Sequence, residues 1–466
     1  MATQKRTTTY DWLLIAIFFS LVTIGWLMVY ASTYDENDPY AFLSINTDIG
    51  RQTAWLVVAI FAFMACMVIE WNFWNTFAYP IYGISLLLLI LVLFLGTEIK
   101  GARSWFALGP GSFQPSEIAK LGTCLAMASF LSFNKYDIKD RRVLLTAIAI
   151  FTAPFLLIML QPDLGSGLVF FSFLILLYRK GLPGVWYAIG FLLIAIFILS
   201  FILGPTRVMV LTLLLTFGIL MHSFQSDLRG IGIILGVCAA TYLAKLGSFE
   251  AGLWLIPAIA NAAIVYLHFR QKNFKIISGI GALAGISIGL SFITKWAFDQ
   301  FLKPHQQDRI NAWLRPDLCD PRGSLYNILQ SKMAIGSGGL DGKGFLKGEM
   351  TKLNYVPEQA TDFIFSTIGE EQGFIGALSV IVLFTILMIR CVVIAERARL
   401  EFFRNYAYGV AGIMFIHFFV NIGMTIGLMP VIGIPLPFIS KGGSSLVAFT
   451  ILVAIMIKMD ASKNRN

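Results

Sequence analysis

Residues 12–32 of this 466-residue chain read WLLIAIFFSLVTIGWLMVYAS. A helix of this length, rising about 1.5 Å per residue, crosses the roughly 30 Å hydrocarbon core of a bilayer. No small-residue cleavage pattern follows the run, which favours a retained membrane helix over a removed signal peptide. The run therefore predicts that the chain enters the membrane near its start.

Apolar runs of the same kind recur along the whole chain. Hydrophobic residues make up 57% of the sequence and charged residues 13%, and the mean hydropathy is +0.77. Soluble domains carry about twice that share of charge. We therefore predict an all-α polytopic integral membrane protein. Its fourteen predicted spans are 12–32, 52–71, 79–96, 115–133, 143–161, 163–179, 185–204, 208–224, 230–246, 252–269, 276–298, 372–390, 406–426 and 443–458.

Lysine and arginine are distributed unevenly between the predicted loops. With a cytoplasmic N-terminus, 19 of the 35 basic residues fall on inward-facing loops, and 8 of the remaining 16 lie in one long outward loop. Cytoplasmic loops of membrane proteins are enriched in basic residues. The distribution predicts a multi-pass protein with both termini in the cytoplasm and the long loop outside. No nucleic-acid partner is expected.

The long loop, residues 299–371, is the main polar segment of the chain. It carries 18 of the 61 charged side chains, 8 basic and 10 acidic. Its residues are the first candidates for chemistry because a polar loop contributes nothing to a lipid-facing core. Within it, Leu325, Ile328, Leu329 and Met333 recur at helical spacing. This pattern predicts a short amphipathic helix lying in the lipid headgroup layer.

A second irregular segment runs from Gly427 to Gly442 and contains Pro430, Pro435 and Pro437. Prolines at these positions are incompatible with a regular helix. The composition predicts extended backbone that dips partly into the membrane and is shielded there by protein or water. Upstream, Asp163 is predicted to cap a helix rather than to take part in chemistry.

Motifs in the polar segments carry a resemblance to a known family. They are GARSWFALGPGSFQPSEIAK (101–120), QPDLGSG (161–167), HQQDRI (305–310), DPRG (320–323), YNILQS (326–331), AIGSGGLDGKG (334–344), VPEQATDFIF (356–365), IGEEQG (368–373) and PVIGIPLPFISKGGSSL (430–446). In order and spacing they resemble the SEDS family of peptidoglycan glycosyltransferases, the family of RodA and FtsW. The AIGSGGLDGKG motif and the short N-terminal tail are more similar to the elongation member, RodA, than to the division member.

The resemblance covers about residues 10–205 and 275–460. It implies a SEDS-type helical bundle with a family core of ten spans, so four of the fourteen predicted spans are assigned to an insertion. The predicted parts are 1–205 (N-terminal membrane core), 206–275 (inserted helices), 276–298 (helix leading into the loop), 299–371 (large extracytoplasmic catalytic loop) and 372–466 (C-terminal membrane core).

The implied function is polymerisation of lipid II at the outer face of the bacterial cytoplasmic membrane during cell elongation. The acceptor hydroxyl attacks the donor's anomeric carbon with inversion and displaces undecaprenyl pyrophosphate, which requires a base and cationic stabilisation of the leaving group. The implied partners are a class B penicillin-binding protein transpeptidase and the elongation machinery. The alternatives are a lipid II flippase or other transporter, which would also show broken helices and charges, and an FtsW-like division paralogue.

Asp320 occupies the position of the family's catalytic aspartate. The resemblance implies that its carboxylate acts as a general base or holds a divalent cation, Mg²⁺ or Mn²⁺. The alternative is that Asp-Pro only begins a turn. Asp317, three residues earlier, is the second candidate and is better explained as a turn residue.

Arg103 and Lys120 are the best pyrophosphate ligands outside the long loop. Lys120 follows one turn into a predicted helix, from which its side chain is expected to reach outward to the surface. Its alternative partner is Glu117, three residues earlier on the same helix. Trp105 is interpreted either as a lipid-interface anchor or as a platform for a sugar or prenyl group.

Further charges of the long loop complete the set of candidates. Arg309, Lys332 and Lys343 supply positive charge, and the glycines around Lys343 suit either backbone contact with an anion or a flexible hinge. Four acidic residues suit either metal coordination or pairing with these cations. They are Glu358, Asp362, Glu370 and Glu371. His417, alone in an apolar helix, is expected to form an interhelical hydrogen bond rather than to carry protons.

Three positions depart from the family pattern. Ala360 stands where the family commonly has His, Lys441 where it has Tyr, and Glu349-Met350 replace Thr-Gln. None of these changes removes Asp320. Lys441 is expected to add a cation to the outer face.

Overall fold

The structure is a computed structural model that describes residues 10–35, 38–99, 101–108, 111–133, 138–225, 227–247, 250–271, 274–302, 304–323 and 325–462. Some of the basic residues used to predict the topology lie outside this described part of the chain. They are Lys5, Arg6, Lys135, Lys272, Lys303, Lys463 and Arg465.

Helices dominate the fold. They are α1 (Trp12–Ser32), α2 (Asp48–Val68), α3 (Trp71–Thr76), α4 (Ala78–Leu95), α5 (Pro115–Phe130), α6 (Arg141–Met159), α7 (Leu164–Leu168), α8 (Phe173–Arg179), α9 (Gly184–Leu203), α10 (Pro205–Phe224), α11 (Leu228–Leu246), α12 (Glu250–Arg270), α13 (Phe274–Phe301), α14 (Pro304–Leu314), α15 (Tyr326–Ser337), α16 (Glu349–Lys352), α17 (Ile364–Arg397), α18 (Glu401–Thr425) and α19 (Gly443–Ala461). Short 3₁₀ turns lie at Ala41–Leu43, Val169–Ser172 and Pro316–Leu318. A small antiparallel sheet contains β1 (Thr97–Ile99), β2 (Ala102–Leu108) and β3 (Gly111–Phe113).

Among the residues that the structure describes, twelve helices are long and apolar enough to cross a membrane. The predicted all-α multi-pass membrane fold is confirmed, but the count of fourteen spans is not. The predicted span 115–133 is helix α5, which has only 16 residues and carries two charged side chains. The predicted span 163–179 is divided into α7 and α8 by the 3₁₀ turn.

Two compact units make up the chain. The first contains Met1–Leu182 and Tyr326–Asn466, and the second contains Pro183–Leu325. The second unit therefore holds the predicted inserted helices and also Asp320. The predicted domain limits stay predictions.

The interior of the first unit is formed by α5, α18 and α19, whose side chains are mostly buried. Helix α5 packs against α4 and α18, α19 packs against α2, and α17 packs against α18 and α1. Small residues allow the close approach: a side chain at Gly409 would meet Cys124 Sγ at 2.6 Å. At one end, Asp11 caps α1 by accepting from the Leu14 amide at 3.1 Å and pairs with Arg390 and Arg397.

The irregular segment Gly427–Gly442 is non-helical, as its prolines predict. It packs inside the first unit rather than outside it. A side chain at Gly25 of α1 would meet the Phe438 carbonyl oxygen at 2.2 Å, and one at Gly165 of α7 would meet the Ile432 carbonyl oxygen at 3.0 Å. Protein contacts therefore shield this backbone.

The second unit is built from α9 to α14. Its described core contains Phe217, Leu220 and Met221 of α10, packed against Ile264 of α12. Polar contacts join the same two helices: Thr216 Oγ1 lies 3.1 Å from Asn261 Oδ1. Interhelical hydrogen bonds of this kind stabilise membrane bundles.

Candidate functional site

The glycine-rich segment 334–344 docks against a break in helix α17. The break is at Gly373, whose backbone is non-helical (φ 64°, ψ −161°). On one side of it, the amides of Phe374 and Ile375 donate to the carbonyls of Gly339 (2.9 Å) and Leu340 (3.2 Å). The segment therefore satisfies backbone groups that a continuous helix would satisfy internally.

On the other side of the break, the amides of Lys343 and Gly344 donate to the carbonyls of Glu370 (3.0 Å) and Glu371 (2.9 Å). A side chain at Gly342 would meet the Glu371 carbonyl oxygen at 2.2 Å. The glycines thus permit close packing of two backbones, and the amides of residues 343 and 344 already have acceptors. Any contact of Lys343 with an anion would have to be made by its side chain.

The carboxylate of Glu370 is completely buried and holds this region together. It accepts from Lys343 Nζ at 2.9 Å, from the amides of Met350 and Thr351 at 2.9 Å each, and from Thr351 Oγ1 at 2.8 Å. The two amides belong to the first turn of α16, so Glu370 caps that helix from another element. The sequence left two alternatives for Glu370, metal coordination or pairing with a cation. The structure shows that Glu370 pairs with the cation Lys343.

The other predicted acidic residues are dispersed around this region. Glu371 is also buried, Glu358 Oε2 accepts from Thr361 Oγ1 at 3.2 Å, and the Asp362 carboxylate lies beside Gly433. In the described part of the chain, no group of three or more His, Cys, Asp or Glu side chains is placed to hold a metal ion. Glu358, Asp362, Glu370 and Glu371 are therefore not gathered into one such group in this part of the chain.

Lys120 lies inside the bundle of the first unit, and the prediction that it reaches the surface was wrong. Its side chain is 2% exposed, and its ammonium pairs with Glu117 Oε2 at 2.8 Å. His417 Nε2 of α18 lies 3.0 Å away, and the Phe449 ring of α19 lies 4.7 Å away. The Glu117 carboxylate, the His417 ring nitrogen and the Phe449 ring together hold the ammonium in the interior.

Helix α18 also holds the irregular segment Gly427–Gly442. His417 Nδ1 lies 3.0 Å from the Pro435 carbonyl oxygen, and Asn421 Nδ2 donates to the Ile434 carbonyl at 2.7 Å. The interhelical role expected of His417 is present. Asn421 was missed, although its position one turn after His417 was a signal of a polar face on α18.

Arg103 and Trp105 lie on strand β2, where they belong to the small sheet. Arg103 Nε lies 3.7 Å from Glu98 Oε2 of β1, and both side chains are mostly exposed. Trp105 is half-buried, and its carbonyl accepts from Thr97 Oγ1 at 3.1 Å. Arg103 is therefore accessible from outside the first unit, unlike Lys120.

Asp320 and Arg309 belong to the second unit, and both are exposed. Asp320 Oδ1 accepts from the Arg322 amide at 3.0 Å, and its carbonyl accepts from the Gly323 amide at 3.0 Å. The turn that Asp-Pro predicts is therefore present, and Asp320 is exposed on it. In the first unit, Lys332 is exposed on α15 and lies against Gly427.

Two departures from the family pattern are in direct contact. The Lys441 amide donates to the Ala360 carbonyl at 2.8 Å. Lys441 Nζ pairs with Asp48 Oδ2 at 2.7 Å, and the same carboxylate pairs with Arg51 at 2.5 Å. The expected additional cation is therefore paired with a carboxylate.

Together, the fold and these polar clusters define a multi-pass helical membrane protein with charged groups enclosed in its bundle and a structured polar region between its spans. The family of cell cycle proteins FtsW, RodA and SpoVE matches residues 11–228 and 205–465. The chain belongs to this family.

Related sequences match between 79% and 98% of the chain. The peptidoglycan glycosyltransferase RodA of Treponema pallidum is 30% identical over 458 residues, which is 98% of this chain and 99% of the relative. The peptidoglycan glycosyltransferase MrdB of Escherichia coli K12 is 32% identical over 368 residues, 79% of this chain and 73% of the relative. Stage V sporulation protein E of Bacillus subtilis is 30% identical over 467 residues, 98% of each chain.

Solved structures show the same fold. A chain of a peptidoglycan synthase complex, described as coordinating polymerization and crosslinking, superimposes with a TM-score of 0.65 at 25% identity and covers 98% of this chain and 99% of its own length. The rod shape determining protein RodA of Thermus thermophilus gives a TM-score of 0.56 at 23% identity and covers 98% of both chains.

Proposed function

We propose that this chain is a peptidoglycan glycosyltransferase that polymerises lipid II during cell elongation. The observation that carries the proposal is the likeness to the Treponema glycosyltransferase, which extends over 98% of this chain and 99% of that protein. A likeness of this extent includes both the membrane core and the polar segments. The division branch of the family is the second candidate because relatives named FtsW are also found, at 28% identity.

Asp320 is the proposed general base. The 4-hydroxyl of the acceptor's terminal sugar attacks the donor's anomeric carbon, the bond from that carbon to the pyrophosphate oxygen breaks, and the hydroxyl proton passes to the Asp320 carboxylate. Undecaprenyl pyrophosphate leaves with the bonding electrons. The exposure of Asp320 on its turn supports this role, since a base must reach the proton that it removes.

The proposed pyrophosphate ligands are Arg103, Lys120, Arg309, Lys332 and Lys343. A departing pyrophosphate accumulates negative charge, which fixed cations stabilise most where water is excluded. Lys120 is the one with a buried environment, whereas Lys343 would have to share its ammonium with Glu370. Trp105, next to Arg103 on β2, is proposed as the platform for a sugar or prenyl group.

The proposed orientation has both termini in the cytoplasm and the polar segment 299–371 on the outer side of the bacterial cytoplasmic membrane. The positive-inside distribution supports it. A class B penicillin-binding protein transpeptidase and the elongation machinery are the proposed partners. The neighbouring structure from a peptidoglycan synthase complex supports the first of them.

A requirement for Mg²⁺ or Mn²⁺ stays a prediction, and no step of the mechanism is assigned to the ion. Among the described residues, no group of three or more His, Cys, Asp or Glu side chains is placed to hold it. Polymerisation rates measured with each ion and with a chelator would show whether one is needed.

The direct test uses purified full-length protein in vesicles that contain lipid II, alone and with its partner transpeptidase. We expect glycan polymer, detected by gel separation of labelled product. Lipid II movement between leaflets without any polymer would contradict the proposal and support the transporter alternative.

A further inference from the structure

His417 links a buried cation to the irregular backbone of the first unit. Its Nδ1 lies 3.0 Å from the Pro435 carbonyl oxygen, and its Nε2 lies 3.0 Å from Lys120 Nζ. The ring is 1% exposed and packs edge-on against Phe449, with 4.8 Å between ring centroids. Both ring nitrogens therefore have fixed partners in a site closed to solvent.

The two partners decide where the imidazole proton resides. A carbonyl oxygen only accepts hydrogen bonds, so Nδ1 must carry the hydrogen that is donated to Pro435. An ammonium only donates, so Nε2 must offer its lone pair to Lys120. His417 is thus a neutral imidazole with its tautomer fixed by the backbone, and its acceptor atom is directed at Lys120.

The surroundings of Lys120 leave its ammonium little freedom. Glu117 lies 2.8 Å away on the same helix, and the Phe449 ring lies 4.7 Å from Nζ. Among these contacts of Lys120, the one with His417 connects it to the segment Gly427–Gly442. The direction of the ammonium is therefore set by a chain that runs from Pro435 through His417 to Lys120.

We propose that His417 is a positioning residue that fixes Lys120 in the geometry needed to attract a pyrophosphate group. The proposal rests on the proposed function, in which Lys120 is a pyrophosphate ligand. His417 acts through Lys120 and does not touch the substrate. It also couples the position of the cation to the conformation of the irregular segment.

The test is a double-mutant cycle with a binding and a kinetic measurement. We expect His417→Leu to weaken binding of undecaprenyl pyrophosphate by about tenfold and to lower kcat/KM for lipid II to a similar extent, because Lys120 loses its acceptor. In a Lys120→Met background the same change should have almost no further effect. His417→Gln should retain activity within about threefold, because its amide donates to Pro435 and accepts from Lys120.

Asn421 provides the matched control. Asn421→Leu removes donors to the Ile434 and Asp362 carbonyls without touching Lys120. We expect it to lower the melting temperature and to change pyrophosphate binding less than His417→Leu does. If His417→Leu does not fold, pyrophosphate binding is compared between His417→Gln and His417→Asn instead. The asparagine side chain is too short to reach both partners, so His417→Asn should lose binding.

Three results would overturn the proposal. They are equal effects of His417→Leu and Asn421→Leu on binding, an undiminished effect of His417→Leu in the Lys120→Met background, and failure of His417→Gln to retain binding. Each would mean that His417 only holds the irregular segment. The binding measurement does not require polymerisation, so failure of the proposed function and failure of this inference are distinguishable.

Discussion

Lys120 and Asp320, the two groups at the centre of the proposed chemistry, are held in opposite ways. Lys120 is buried, and its partner His417 lies 297 residues away in the sequence. Asp320 is exposed, and its hydrogen bonds come from Arg322 and Gly323 in its own turn. The comparison teaches that a buried charge is part of the packing, so its removal affects stability and activity together. Removal of an exposed carboxylate should change activity with little change in stability.

The largest loss of stability is expected where a buried carboxylate has several partners. Glu370→Ala leaves Lys343 and two backbone amides without their acceptor, so we expect a loss of about 3–5 kcal/mol in the free energy of unfolding. Thermal unfolding of the purified protein in detergent measures it. Glu349→Ala is the control, since Glu349 is exposed and lies 3.9 Å from the same lysine, and its loss should be below about 0.5 kcal/mol. Equal losses in the free energy of unfolding for Glu370→Ala and Glu349→Ala would contradict the expected difference between a buried and an exposed carboxylate.

A smaller loss of stability is expected when Asp11 is replaced, because its partners Arg390 and Arg397 are partly exposed. Burial raises the pKa of its carboxyl, but hydrogen bonds from Arg390 and the Leu14 amide outweigh burial, so the pKa lies below its usual value. Its contribution to stability is complete above the ordinary aspartate pKa of about 3.9 and is lost as the pH falls below it. Asp11→Asn should cost about 2 kcal/mol at neutral pH and reduce the acid sensitivity of unfolding. Unchanged acid sensitivity would argue against this contribution.

Among Glu370, Asp11 and Lys441, the smallest effect on stability is expected at Lys441. Its ion pair with Asp48 is partly exposed, and Arg51 pairs with the same carboxylate. Lys441→Met should therefore cost less than about 1 kcal/mol, measured by the same unfolding experiment. A loss above about 2 kcal/mol in the free energy of unfolding would mean that Lys441 contributes to stability as a buried charge does. Lys441→Arg, which keeps the charge, serves as the control.

Features that depend on local sequence were predicted well. Spacing of apolar residues predicted the helix that became α15, and the prolines of 427–442 predicted its irregular backbone. Asp163 caps α7 by accepting from the Ser166 amide at 3.1 Å, as expected of an aspartate after a turn. Most spans were found because about 20 apolar residues in a row are a strong signal.

Features that depend on tertiary packing were not accessible from the sequence. The burial of Lys120 follows from partners on α18 and α19 that no local pattern connects to α5. The docking of the glycine-rich segment on α17 requires the break at Gly373, and a glycine at the start of an apolar run gives no indication of which segment will pair with it. The family resemblance supplied Asp320, since a carboxylate on an exposed turn has no distinguishing local pattern.

Paired measurements on Asp320→Asn test the central claim most directly. Purified wild type and variant are compared for polymer formed from lipid II and for melting temperature. We predict that the variant loses at least about 100-fold in polymerisation rate, as expected when a general base is removed, and unfolds at the wild-type temperature. Polymerisation at the wild-type rate would contradict the assignment of Asp320, and a large drop in melting temperature would contradict its placement on an exposed turn.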